Sequence, residues 1–71
     1  MKVNAENALF PPTPSECIAI VAKFASEERR HRIHMLTKAG ADAGQRAYWQ
    51  GRIAQCDEAL ARLAELAAVT P

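Results

Sequence analysis

Glycine is scarce in this chain of 71 residues, with three in all, and cysteine is scarcer still, with two. With alanine supplying much of the hydrophobic fraction, that scarcity favours helix. Cys17 and Cys56 do not make a disulfide framework of the secreted kind. There is no leader with a basic start and an apolar core, and no apolar run approaches the roughly 20 residues that span a bilayer. A reduced, cytoplasmic setting is therefore the expectation. An excess of one charge is also lacking: the net charge is +1, so no global field draws the chain onto nucleic acid or membrane. A glycine-rich phosphate loop, a nucleophile elbow and an H-E-x-x-H motif are all missing. No catalytic residue and no cofactor is assigned, and the chain is not read as an enzyme.

What is present points to a folded helical protein. Hydrophobic residues make up 49% and charged residues 24%, a balance outside the disordered range. The length suits one small domain near the limit at which a single core holds itself together, where oligomerisation is a usual remedy. The segment Lys38-Ala39-Gly40-Ala41-Asp42-Ala43-Gly44 breaks two helical patterns of similar length. The expected fold is all-α: an extended segment over 1–12, then an antiparallel hairpin with a helix over 14–38, a turn over 39–42 and a helix over 43–68.

Local signals set those bounds. Pro11, Pro12 and Pro14 keep the entry extended, and Leu9 and Phe10 before them pack on the helices or on a partner. Thr13 can cap the first helix, with Pro14 at its first position and Glu16 closing a capping box. Gly40 offers a left-handed terminator. Asp42 can cap the second helix with Gln45 as its box partner.

The second helix has the clearer stripe. Trp49, Ile53, Cys56, Leu60, Leu63 and Ala67 recur at spacings of four and three, the seam of a coiled-coil-like contact, with Trp49 as a core anchor. Glu58 and Arg62 form an i,i+4 pair on the exposed side. In the first helix Cys17, Ile18, Val21, Phe24, Ala25, Met35 and Leu36 cover a broad arc, wider than one facing helix needs. The excess implies two contacts, one with the second helix and one with a second copy, giving a homodimeric four-helix bundle. Val21, Phe24, Met35, Trp49, Ile53, Cys56, Leu60 and Leu63 are the expected core and dimer residues. Glu28, near the middle of the arc, either pairs with Arg52 or Arg32 or reaches to water.

His31 and His34 share a face, but the two cysteines fall about seven residues out of step, roughly 10 Å apart along the hairpin. That separation argues against a shared metal site or disulfide within one chain, and makes the cysteines buried structural residues. No metal is expected. The basic run is more informative. From Arg29 to Arg52 six basic residues stand against Asp42, so this segment is +5 and the remainder −4. Folding at Gly40 gathers the positive charge toward the turn. Tyr48 and Arg52 lie beside the apolar seam with Gln45 one turn before Tyr48, a pairing typical of protein-interface anchors. The candidate partner-binding residues are accordingly Tyr48, Arg52, Gln45, Arg29, Arg30 and Arg32.

An extended entry, a capped hairpin, a basic turn and a wide apolar face together resemble the small all-helical accessory proteins of temperate bacteriophages. Those proteins bind and disable host proteins and include quorum-sensing anti-activators and anti-CRISPR proteins. The resemblance is one of shape and implies a dimeric hairpin that captures a host regulatory protein, such as a transcription regulator, in the host cytoplasm. The alternative is an RNA- or DNA-binding hairpin dimer, similar in shape to plasmid copy-control proteins, using Arg29, Arg30, Arg32, Lys38 and Arg46.

Overall fold

The computed structural model describes residues 11–71. Two long helices make up nearly all of them: α1 over Pro14–Ala39 and α2 over Ala43–Val69. They pack against each other as an antiparallel hairpin, and no strand occurs among the described residues. The expectation for Leu9 and Phe10 lies outside the described residues.

The start of α1 is fixed reciprocally. Glu16 N donates to Thr13 Oγ1 at 3.1 Å, while Thr13 N donates to a Glu16 carboxylate oxygen at 2.8 Å. These bonds satisfy donors that the first helical turn leaves unpaired. Both contacts favour the ionised acid, so the backbone and side-chain hydrogen bonds with Thr13 hold Glu16 below its ordinary pKa.

At the other end α1 runs one residue beyond the expected stop and ends differently. Gly40 has φ +59° and ψ −127°, which is not the left-handed helical terminator expected from the sequence. That combination suits a residue with no Cβ. The Gly40 carbonyl accepts from Arg46 Nη1 at 3.1 Å, so the second helix holds the turn from its far side. Asp42 caps α2 by accepting from Gln45 N at 2.9 Å. Gln45 does not close a box. The Asp42 N–H that its side chain would need donates instead to the Ala39 carbonyl at 3.1 Å.

Between the helices lies one narrow seam. On α1 the half-buried positions are Ile18, Ala22, Ala25, Arg29, Arg32, Met35, Leu36 and Ala39. On α2 they are Trp49, Arg52, Ile53, Leu60 and Leu63, with Cys56 fully buried at 6% exposure. The α2 side follows the expected stripe from Trp49 to Leu63, while Ala67 at its end is exposed. The α1 side does so only in part: Ile18, Ala25, Met35 and Leu36 lie in the seam as expected, while Ala22, Arg29, Arg32 and Ala39 fill the remaining positions. Val21 and Phe24 lie outside it, at 50% and 63% exposure. Alanine at these contacts lets the backbones approach closely, and the arginines lay their hydrocarbon stems along the seam.

Gly40→Ala should destabilise the hairpin by about 1–3 kcal/mol, since alanine must adopt a backbone region nearly reserved for glycine; urea unfolding followed by circular dichroism checks it. Thr13→Ala should cost about 1 kcal/mol by removing the cap. The stabilisation from the Thr13–Glu16 pair should be fully present above the ordinary glutamate pKa of 4.5 and be lost as pH falls below it through the lowered folded value. In Thr13→Ala that part of the acid dependence of the melting temperature should shrink.

Candidate interaction face

The middle of the seam is polar. The Arg32 side chain is only 13% exposed. Its Nε donates to Glu28 Oε2 at 2.9 Å, and its Nη1 crosses to α2 and donates to the backbone carbonyl of Arg52 at 2.6 Å. The guanidinium fork makes this double engagement possible, and a lysine ammonium could not reproduce its geometry. Glu28 therefore pairs with Arg32 and not with Arg52. The turn sets the two arms so that Arg32, rather than Glu28, is level with Arg52. One turn earlier, Arg29 pairs through Nε with Asp57 on the opposite edge of the hairpin, where both side chains are substantially exposed.

These contacts divide the expected binding residues. Arg32 is a seam residue, not a free basic group at the surface. Arg29 is half-buried and engaged with Asp57. Arg30 is exposed. Gln45 is exposed beside a shallow depression near the turn that Met35, Lys38, Asp42 and Trp49 also line. Tyr48 and Arg52 are brought together: the Arg52 guanidinium carbon sits 6.0 Å from the Tyr48 ring centroid, within cation–π range. The Tyr48 ring meets Trp49 edge-on, with centroids 5.0 Å apart and an interplanar angle of 84°. Trp49 is half-buried in the seam, so it anchors an outward-facing Tyr48 that is 56% exposed.

The cysteines also separate. Both are free; Cys56 is buried and Cys17 exposed, so the expectation of two buried thiols fails for Cys17. The reason is angular. Ile18, the next residue, takes the seam position opposite Leu63 and Ala64. His31 and His34 are exposed, and no group of three or more His, Cys, Asp or Glu able to hold a metal occurs among the described residues. No helix among them is long and apolar enough to cross a membrane.

A second stripe runs one residue before each seam position. On α1 it comprises Cys17, Val21, Phe24, Glu28, His31 and Met35; on α2, Tyr48, Arg52, Gln55, Ala59, Arg62, Leu66 and Val69. One residue is a turn of about 100° around a helix. In an antiparallel pair viewed from one end, a step toward the N-terminus turns in opposite senses on the two helices. Both stripes therefore swing to the same side of the hairpin and form one face. Sequence inspection joins Phe24 and Val21 to the seam because they are the larger apolar residues. The signal that separates them is that positions 18, 22, 25, 29, 32, 36 and 39 keep the same four-three spacing as α2.

This face has two regions. Toward the open end, Cys17, Ile20, Val21 and Phe24 of α1 lie alongside Ala59, Leu66 and Val69 of α2; the large apolar members are all exposed. Toward the turn the face carries His31, Arg52 and Tyr48. On the reverse side, near the open end, a shallow apolar groove of about 370 Å³ runs between the helices past Ser15, Ala19, Ala22 and Ala64. Comparison with family models, curated proteins and solved structures finds no match to this chain.

Arg32→Ala should destabilise the hairpin by about 1.5–3 kcal/mol, the range for hydrogen bonds to charged groups. Arg29→Ala should cost less than about 1 kcal/mol, because its pair with Asp57 is solvent-screened. Urea titration of the two variants side by side checks the order, and equal losses would overturn the assignment of Arg32 as the seam's polar tie.

Proposed function

We propose that this chain is a small non-enzymatic interaction module, a homodimeric inhibitor that binds a host regulatory protein, such as a transcription regulator, by occupying its surface. The carrying observation is the face on which Phe24, 63% exposed, stands with Ile20, Val21 and Leu66 on the same side as the Tyr48–Arg52 pair. Monomeric proteins scatter exposed hydrophobic residues singly, whereas a contiguous group of them marks a binding surface. Among the described residues only Cys56 is fully buried, and a hairpin with so slight a core gains from covering that group.

The two regions of the face suit two tasks. The apolar open end takes a second copy. Tyr48 and Arg52, held by Trp49 and flanked by Gln45, form the recognition patch for the captured protein, since a rigid aromatic beside an arginine is the commonest anchor chemistry at interfaces. The likeness in shape to bacteriophage accessory inhibitors is the ground for proposing a host protein as the target and a host cytoplasm as the setting. A nucleic-acid reading would draw on Arg29, Arg30, Arg32, Lys38 and Arg46. Three of these already bond within the chain: Arg29 to Asp57, Arg32 to Glu28 and the Arg52 carbonyl, and Arg46 to the Gly40 carbonyl.

The test is capture of a stoichiometric protein partner from bacterial lysate, with nuclease treatment as a control. Tyr48→Ala and Arg52→Ala should each weaken the captured complex about 30-fold, equivalent to roughly 2 kcal/mol for an interface anchor, with helicity unchanged by circular dichroism. Normal binding by both variants would remove the patch assignment. Loss of the captured material on nuclease treatment would favour the basic-turn reading instead.

A further inference from the structure

On α1 the apolar open end of the face is self-complementary. We propose that a second copy covers it about a two-fold axis that runs across the helices at the level of Ala22 and Leu60, so that the two turns point in opposite directions. This rests on the homodimeric reading above and fixes which face is used and in which orientation. Ala22 and Leu60 line the same groove, so they mark one level of the hairpin.

An axis there sets residues an equal distance either side of Ala22 against each other. Phe24 of one copy meets Ile20 of the other, and the reverse, with Val21 at the centre. These are the side chains that stand exposed, at 63%, 48% and 50%. On α2 the same axis, at Leu60, sets Glu58 against Arg62 of the second copy in both directions. Within one chain Glu58 and Arg62 pair with each other at 3.3 Å, and both remain mostly exposed. Their exposed, solvent-screened pair can exchange for pairs across the edge of the interface.

Net charge selects the same orientation. The segment from Arg29 to Arg52 is +5. Glu28 and Asp57 offset part of it through Arg32 and Arg29, and the turn end stays net positive. A dimer with both turns at one end therefore stacks like charge on like charge, whereas the crossed arrangement places these segments at opposite ends. Docking of the apolar face into the alanine-lined groove on the reverse side is heterologous, so it would build rings or open chains rather than a two-fold dimer.

Spin labels on Ala41→Cys in a Cys17→Ser background test the orientation; Ala41 is exposed in the turn and Cys56 is buried. Sedimentation equilibrium should give twice the chain mass. Eighteen residues separate Ala22 from Gly40 on each copy, so the labels should lie about 54 Å apart at 1.5 Å per residue. A dimer with labels within about 25 Å of each other has its turns together and overturns the orientation. A chain mass at every concentration overturns both this proposal and the homodimer reading, while host-protein capture is decided separately by the lysate experiment. Mass that grows without limit shows the heterologous contact and also overturns it.

A charge exchange tests the position of the axis. Glu58→Arg and Arg62→Glu should each weaken self-association roughly fivefold through two exposed pairs. An equimolar mixture of the two variants should recover it. In that mixture every within-chain pair is like-charged and only pairs between copies are opposite, so no recovery overturns the crossed pairing.

Discussion

The guanidinium of Arg32 ties the two helices together. It lies almost buried in the middle of a seam built mainly from alanine and a few larger apolar residues, and among the described residues it is the one side chain that bonds to both arms. Its acceptor on α2 is a backbone carbonyl, whose position is fixed by the helix and not by a rotamer. That makes the contact a register pin: sliding one arm by a single residue moves the carbonyl by 1.5 Å and breaks the bond. The register in turn places Met35 beside Trp49 and Ile18 opposite Leu63. A buried charged group is a weak source of net stability, and its best-attested use is to specify one arrangement.

Much of this fold can be read from residue types alone. The Thr13-Pro14-Ser15-Glu16 start, the break at Gly40 and the cap at Asp42 are local chemistry, and local chemistry survives folding. The stripe of Trp49, Ile53, Cys56, Leu60 and Leu63 is legible because each position holds a residue that belongs inside. The first helix is harder because its inner line is occupied by Ala22, Ala25, Arg29, Arg32 and Ala39. Hydrophobic ranking alone turns Val21 and Phe24 inward and the arginines outward, the reverse of what packing requires here. Small residues win the seam because they permit close approach, and a long arginine can lie along it while its head finds oxygen acceptors.

The candidate site divides the same way. Tyr48 and Arg52 are recognisable as neighbours from their i,i+4 spacing, and they are adjacent in the fold. The basic run is less transparent, because residue type does not reveal which cations are already engaged. Arg30 stands exposed, Arg29 meets Asp57 from the other arm, and Arg32 is enclosed. Electrostatic character near the turn is thus thinner than the +5 of the segment suggests. Recognition there depends more on shape and on aromatic surface than on a field.

The two stripes on each helix are the same repeat displaced by one residue, and this gives the sequence a near-degenerate alternative. Rotating both helices by about 100° would bring Val21, Phe24 and Met35 against Tyr48, Ala59 and Leu66 and turn the present seam outward. Hydrophobicity would favour that exchange on α1 alone; on α2 it opposes it, because Trp49, Ile53, Cys56, Leu60 and Leu63 would turn outward. Bulk and charge separate the two packings further: Phe24 and Tyr48 would hold the backbones apart where Ala22 and Ala25 let them close, and Glu28 would enter an interior whose backbone carbonyls suit the Arg32 donors but offer a carboxylate no hydrogen bond. The uniqueness of this hairpin is therefore a gap between two competing packings of one pattern, set by the apolar stripe of α2, by alanine on the inside of α1 and by a single guanidinium.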